Sequence, residues 1–267
     1  MPHLWPYQAI GQPHQPAIIC LHGFMGNGAD WLPLVKPWAD RFYCLLPDLP
    51  GHGRHLSRSL AEPLTFDRLA DELAKFGESL NLAQVGLLGY SLGGRLALYT
   101  ALKHPAKFAS LILESANPGL TDESEREERA AVDARRAEQI LAGGMAAFVE
   151  AWYGLPLFHT LQRYPHLLNT IKSKRSANEP RWAAKIISEL SPGRQPSLWS
   201  RLGELSLPVL LIAGELDPPY VTVTNRMAQQ ISRVAVKIIP EAGHNTHLEQ
   251  PEQFGQACLQ HWRETLA

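Results

Sequence analysis

Short apolar segments recur along the chain, and they predict the strands of a buried sheet. Such segments are mostly covered on both faces when strands run parallel, because helices pack on either side. Residues 4–10 predict a further, short antiparallel strand at the edge. The six segments of strand length are Ala17–Leu21, Phe42–Leu46, Val85–Leu88, Ala109–Leu113, Val209–Ala213 and Val234–Ile239.

Helical patterns separate several of these segments. Two prolines, Pro33 and Pro37, interrupt the first of them. Strands that alternate with helices are typical of an α/β protein, so we expect a mostly parallel, doubly wound sheet. The predicted helices are Asp30–Ala39, Phe66–Leu80, Leu92–Lys103, Val221–Ile231 and Pro251–Leu266.

The alternation stops between Asn117 and Ser200, where strand-like segments give way to helical patterns. We interpret this part as a helical lid inserted between two strands of the core. The predicted organisation is therefore a first part of the core at 1–116, the lid at 117–200 and a second part of the core at 201–267. The lid helices are predicted at Thr121–Leu141, Met145–Tyr153, Leu161–Arg175 and Pro180–Leu190.

Composition narrows the possible partners of the chain. Its 267 residues are 45% hydrophobic, so a large core is possible. Its formal net charge is only -1, so a general electrostatic attraction to nucleic acid is not expected. Cys20 and Cys44 lie in apolar segments and are interpreted as buried thiols of a reducing cytosol. The N-terminus lacks the features of a signal peptide, and the apolar segments are too short to span a membrane. We expect a cytoplasmic monomer.

The segment Gly89-Tyr90-Ser91-Leu92-Gly93 carries the clearest chemical signal. It follows the predicted strand Val85–Leu88 and opens the predicted helix Leu92–Lys103. A G-x-S-x-G sequence between a strand and a helix is the nucleophile elbow, a strained turn that exposes a serine hydroxyl. Glycines flank it because backbone segments pass closely there.

A serine hydroxyl needs a base, and the base needs an orienting acid. Asp217 follows the predicted strand Val209–Ala213, and His244 follows Val234–Ile239. The order serine, acid, histidine is the one expected after this elbow, and the carboxyl ends of parallel strands meet at one edge. We therefore predict a catalytic triad of Ser91, Asp217 and His244.

Other interpretations of these residues remain open. Taken singly, Asp217 is a plausible turn residue before two prolines, and His244 a plausible surface histidine. Glu114 is the alternative acid, and His247 is the alternative base.

The predicted strand Ala17–Leu21 is followed by His22-Gly23-Phe24. We predict an oxyanion hole made by the backbone N–H groups of Phe24 and Leu92. His22 and the segment Asp48–Gly53 are interpreted as structural. The chain lacks the H-E-x-x-H and phosphate-binding glycine motifs, so we expect no metal and no cofactor.

These motifs resemble the α/β-hydrolase fold superfamily over nearly the whole chain. Within it, several segments resemble the 2-succinyl-6-hydroxy-2,4-cyclohexadiene-1-carboxylate synthases (MenH) of menaquinone and phylloquinone biosynthesis. The segments are Gly89–Arg95, Glu114–Leu120, Trp152–Tyr153 with Pro156–Phe158, and Ala242–Asn245.

The resemblance implies a lyase that eliminates pyruvate from 2-succinyl-5-enolpyruvyl-6-hydroxy-3-cyclohexene-1-carboxylate, with the triad removing a proton. It also implies a small polycarboxylate substrate, which suits arginine because its guanidinium binds carboxylates in a bidentate manner. The substrate-binding residues carried over by position are Tyr90, Arg95, Arg129, Trp152 and Arg175.

Three alternatives accompany these expectations. A solvated helix surface would also explain lid arginines such as Arg126, Arg135 and Arg136, and Glu125 stands four residues before Arg129. A carboxylesterase or C–C-bond hydrolase would use the same triad, since one fold hosts many chemistries. A ligand receptor of this fold would not need an intact triad.

Overall fold

One mixed sheet organises the molecule. The computed structural model describes residues 5–82 and 84–266, and within them seven strands form the sheet in the order β1-β3-β2-β4-β5-β6-β7. All neighbouring strands are parallel except β1, which pairs antiparallel with β3. The strands are β1 Tyr7–Ile10, β2 Ala17–Leu21, β3 Tyr43–Pro47, β4 Val85–Tyr90, β5 Phe108–Glu114, β6 Val209–Gly214 and β7 Val234–Ile239.

The predicted mostly parallel sheet is confirmed, with small differences at strand ends. The predicted strand Phe42–Leu46 lies one residue further along, because Phe42 packs in the core before β3 begins. The expectation that every strand is covered on both faces is wrong for β7, which lies at the edge of the sheet with its middle residues exposed. Residue 4 of the predicted edge strand lies outside the described residues.

Helices cover both faces of the sheet, as a doubly wound arrangement requires. The predicted helix Asp30–Ala39 is wrong as one element: a 3₁₀ turn Gly28–Trp31, the short α1 Leu32–Val35 and a 3₁₀ turn Lys36–Trp38 replace it, since prolines break its hydrogen bonding. The other core helices are α2 Phe66–Ser79, α3 Leu92–Lys103, α7 Pro218–Ala228, α8 Thr246–Glu249 and α9 Pro251–Thr265.

Three helices and a 3₁₀ segment follow β5 in the chain, and a second 3₁₀ segment, Trp199–Glu204, comes just before β6. The two predicted helices Thr121–Leu141 and Met145–Tyr153 are joined as α4, which is kinked at Gly144, a residue at φ 77° where only glycine is unstrained. The elements are α4 Glu123–Tyr153, the 3₁₀ segment Pro156–Arg163, α5 Pro165–Ser176 and α6 Pro180–Glu189. We call them the intervening helices.

The intervening helices have a hydrophobic core of their own. Buried residues such as Ile140, Val149, Leu161 and Ile187 form it, separate from the two clusters that cover the faces of the sheet. In the part of the chain that is described, no single helix is both long and apolar enough to cross a bilayer. α4 and the 3₁₀ segment reach that length and composition only as a pair, with a bend of 79° between them.

Candidate active site

Ser91 lies at the junction of β4 and α3 in a strained conformation. Its backbone has φ 50° and ψ -110°, outside the regions that a serine ordinarily adopts. The turn is tight enough that a Cβ atom on Gly89 would lie 2.5 Å from the carbonyl oxygen of Gly93. This geometry holds the hydroxyl at the carboxyl edge of the sheet, at the N-terminus of α3.

The structure brings Ser91, His244 and Asp217 together from three strand ends. The Nδ1 atom of His244 lies 2.8 Å from Oδ2 of Asp217, and its Nε2 atom lies 3.4 Å from Oγ of Ser91. His244 is only 1% exposed, and Asp217 is 6% exposed. A carboxylate beside Nδ1 holds the proton there, which leaves Nε2 free to accept the serine proton.

Aromatic rings hold the imidazole of His244 on three sides. The ring of Tyr220 lies 4.6 Å from it, that of Tyr90 lies 5.5 Å away and that of Phe158 lies 6.0 Å away. The Tyr90 hydroxyl in turn accepts a hydrogen bond from the side chain of Asn245 at 2.6 Å. The base is therefore fixed in orientation by packing as well as by Asp217.

Glu114 and His247, the alternative acid and base, pair with each other instead of with Ser91. A Glu114 oxygen lies 2.8 Å from Nδ1 of His247. The same carboxylate accepts hydrogen bonds from Thr246 Oγ1 at 2.6 Å and from the His247 backbone at 3.0 Å. Glu114 is fully buried and ties β5 to α8, the short helix just after His244.

A substitution of Glu114 tests whether this residue has only a structural role or acts as the acid that orients His244. We expect Glu114→Gln to lower the free energy of unfolding by about 2 kcal/mol, because a buried charge-assisted interaction is lost while the shape is kept. Turnover should stay within about threefold, since Asp217 still orients His244. Urea unfolding and steady-state kinetics measure the two effects; a large loss of turnover with unchanged stability would make Glu114 the acid.

The segment expected to form the oxyanion hole is held by His22. The Nδ1 atom of His22 donates to the Gly23 carbonyl at 2.8 Å, and its Nε2 accepts from the Leu49 backbone at 3.0 Å. Burial lowers the pKa of His22, which favours this neutral tautomer. Asp48 accepts from the Gly28 backbone at 2.8 Å and completes the support.

Phe24 and Leu92, whose N–H groups are the expected oxyanion donors, line a cavity together with Ser91. The backbone turns sharply just after Phe24, where Met25 has φ 61°. This turn lies beside the N-terminus of α3, where backbone N–H groups are unpaired within the helix.

Two cavities are lined by Ser91, and each also contains an arginine. The first has a volume of about 40 Å³ and is lined by Arg175; the second has a volume of about 210 Å³ and is lined by Arg95 and Arg129. We call them the Arg175 cavity and the Arg95 cavity. Both are lined by Phe24, Ser91, Trp152 and Phe158.

Arg95 is a cation without an acidic partner among the described residues. Its Nη1 donates to the Leu190 carbonyl and to the Gln195 side chain, each at 3.0 Å, and its guanidinium lies 5.3 Å from the ring of Phe66. Desolvation lowers the pKa of this arginine to about 10. A bound carboxylate would supply the countercharge.

Arg175 already has one carboxylate partner. It forms an ion pair of 2.6 Å with Asp30, and both side chains are largely buried. Burial by itself would lower the pKa of Arg175, but the negative charge of Asp30 raises it above the usual value. Its Nε and Nη1 atoms are buried without a hydrogen-bond partner in the described part of the chain, so donors remain for a ligand.

Arg129 and Trp152 come from α4. Arg129 pairs with Asp133 at 2.8 Å, although its spacing from Glu125 had suggested that residue as the partner. Asp133 is fully buried and also binds Arg136 and Ser191.

The indole of Trp152 lies beside both cavities. Its ring lies 5.4 Å from that of Phe24 and 5.8 Å from that of Phe158. Arg136 covers another part of it, with the guanidinium 5.4 Å from the ring. Arg135, in contrast, is exposed.

Sequence reasoning missed several residues that shape the site. Asp30, Asp133 and Gln195 each bind an arginine of the cavities, yet each lies far from the motifs or in a charged helix. Asp30 is the one that the sequence could have indicated, because it lies only six residues after Phe24 of the predicted oxyanion hole. Across the described residues, no three His, Cys, Asp or Glu side chains converge in a way that could hold a metal ion.

Comparison with known proteins shows the family to which the chain belongs. The family model described as alpha/beta hydrolase fold matches residues 16–251. The chain is 37% identical over 241 residues to a putative 2-succinyl-6-hydroxy-2,4-cyclohexadiene-1-carboxylate synthase of Bacillus subtilis, covering 90% of this chain and 88% of that protein.

A larger plant protein and a protein of solved structure are also similar to this chain. The chain is 35% identical over 245 residues to the chloroplastic protein PHYLLO of Arabidopsis thaliana; the match covers 86% of this chain but spans only 14% of that protein. A structure of MenH from S. aureus superposes with a TM-score of 0.93 at 31% identity, covering 97% of this chain and 98% of that one.

Proposed function

Because this chain belongs to the alpha/beta hydrolase fold family and, within it, to the 2-succinyl-6-hydroxy-2,4-cyclohexadiene-1-carboxylate synthases, we propose that it is a lyase of quinone biosynthesis. It eliminates pyruvate from 2-succinyl-5-enolpyruvyl-6-hydroxy-3-cyclohexene-1-carboxylate. One observation carries the assignment to this site: Ser91, which lies at the elbow of β4 beside His244 and Asp217, lines two cavities that each contain an arginine.

The reaction needs a base next to an acidic carbon. His244, oriented by Asp217, takes the proton of the Ser91 hydroxyl as that oxygen removes the proton alpha to the succinyl ketone. The electrons move through the ring, the C–O bond to the enolpyruvyl group breaks, and the departing enolate of pyruvate takes up a proton. The reaction consumes no water and forms no acyl-serine intermediate.

The negative charge that forms on the ketone oxygen needs fixed donors. The backbone N–H groups of Phe24 and Leu92 hold this enolate, because donors aimed at developing charge cost no reorganisation during the reaction. Their support by His22 and by the start of α3 keeps the oxyanion hole in place.

The carboxylates of the substrate go to the two cavities. Arg95 and Arg129 bind in one cavity and Arg175 binds in the other, while Trp152 lines both cavities and Tyr90 lines the Arg175 cavity. Residues 117–200 act as a lid over this site, and 1–116 with 201–267 form the core. The Arg175 cavity has room for a single carboxylate, and entry of the substrate is accompanied by opening of the lid.

The same proposal places the enzyme in the cytoplasm as a monomer. Cys20, Cys44 and Cys258 are all buried free thiols, which are typical of a reducing compartment.

A direct comparison of substrates tests the reaction class. We expect rapid pyruvate release from the freshly generated enolpyruvyl substrate, with no solvent ¹⁸O in the cyclohexadiene product, since the elimination consumes no water. Turnover of p-nitrophenyl acetate should be weak, because a small neutral ester leaves the arginines unpaired. A burst of p-nitrophenol with a stable acyl-Ser91 adduct, and no pyruvate, would identify an esterase instead.

A further inference from the structure

The loop that carries the catalytic histidine is held by a second buried carboxylate, Glu249. Its Oε2 accepts the backbone N–H of Gly243 at 2.9 Å, and its Oε1 accepts the backbone N–H of Asn245 at 3.3 Å. These two residues directly precede and follow His244. One side chain therefore binds the backbone on both sides of the base.

Glu249 also contacts the intervening helices. The hydroxyl of Thr160, in the 3₁₀ segment Pro156–Arg163, donates to Oε1 of Glu249 at 3.0 Å. Thr160 and Glu249 are 9% and 4% exposed, so water competes little for this hydrogen bond. The Gly243 backbone lies against the Thr160 side chain here, since a Cβ atom on Gly243 would collide with it.

The same 3₁₀ segment contributes to the active site. Its Phe158 lines both cavities and packs 6.0 Å from the ring of His244. At its end, Arg163 forms an exposed ion pair of 2.7 Å with Glu241, which begins the histidine loop. The segment is thus attached to the loop at a buried point and at a surface point.

We propose that Glu249 is a positioning residue that couples the segment Pro156–Arg163 to His244 through the hydroxyl of Thr160. This inference rests on the proposed function, because the base that it positions is the base of the elimination. When Phe158 and Thr160 are seated, Glu249 holds the backbone beside His244 and keeps Nε2 directed at Ser91. Glu114 cannot do this, since its contacts reach α8 from the sheet and do not reach the intervening helices.

Replacing Thr160 by valine tests the coupling with little change in shape. Thr160→Val should lower kcat for pyruvate release about tenfold and leave KM within about twofold, because the arginines are untouched while the base is less well held. Thr160→Ser keeps the donor and should retain most of the wild-type kcat. Thr170→Val, which removes an exposed hydroxyl bonded only to its own helix, is the matched control.

A fluorophosphonate separates positioning from loss of folded protein. The amount of Ser91 that it modifies counts folded sites, and the rate constant of modification reports how well His244 activates the serine. For Thr160→Val we expect a normal amount of labelling and a rate constant reduced about tenfold. Glu249→Gln, which keeps one acceptor oxygen, should fall between Thr160→Val and a Glu249→Ala variant.

Two results would overturn the coupling. One is a Thr160→Val enzyme with wild-type kcat and labelling rate; the other is a fall in kcat that is matched by a fall in the amount of labelled Ser91. Failure of the wild-type enzyme to release pyruvate would instead contradict the proposed function, and the labelling rates would still decide the role of Glu249.

Discussion

Ser91→Ala should lower the rate of pyruvate elimination by about three orders of magnitude or more while leaving the fold intact. The hydroxyl lies 3.4 Å from His244, and in the proposed mechanism it removes the substrate proton. An alanine methyl group relieves none of the backbone strain and fills the same space, so unfolding by urea should be nearly unchanged. Single-turnover kinetics at saturating substrate measures the loss.

The three triad residues should behave as one unit. Adding His244→Ala to Ser91→Ala should cost little more than the serine change alone, because neither residue works without the other. Asp217→Asn keeps the shape but misorients the imidazole and should also be severe. Ser173→Ala, an exposed serine on α5, is the matched control. A Ser91→Ala enzyme with most of its activity would refute the mechanism.

Arg95→Ala should lower kcat/KM about a hundredfold or more without a comparable loss of stability. A desolvated guanidinium that pairs with a substrate carboxylate contributes strongly to binding, and truncation leaves that carboxylate unpaired. Arg95 has no acidic partner among the described residues, so its removal strands no buried charge. It does leave the Leu190 carbonyl and the Gln195 side chain without a donor, so the free energy of unfolding should fall by about 1 to 2 kcal/mol. Arg95→Lys should not restore activity, because the planar fork is lost.

Arg175→Ala should reduce both kcat/KM and the free energy of unfolding. It removes a cation of the proposed substrate site and also leaves Asp30 buried without its partner, which we expect to cost about 3 kcal/mol of stability. Arg135 is exposed, so Arg135→Ala should change neither kcat/KM nor the free energy of unfolding. Equal and small effects on kcat/KM at Arg95, Arg175 and Arg135 would contradict a role for these cations in substrate binding.

Local patterns along the chain determined the class of the fold and the elements of the elbow. Periods of apolar residues define strands and helices over a few positions, and a G-x-S-x-G segment between a strand and a helix carries its own geometry. Chain order then pointed to Asp217 and His244. The burial of β7 could not be obtained this way, because only the order of strands in the sheet places it at the edge.

Pairings between distant residues were decided by the tertiary structure alone. Glu114 and Asp217 both follow parallel strands that end at the same edge; chain order favoured Asp217 as the partner of His244, but the pairing of Glu114 with His247 appears only in the structure. The partners Asp30 of Arg175 and Glu249 of Thr160 are 145 and 89 positions away along the chain. Such contacts depend on how whole elements pack, which no local pattern encodes, and they decide which cations of the site remain free for a ligand.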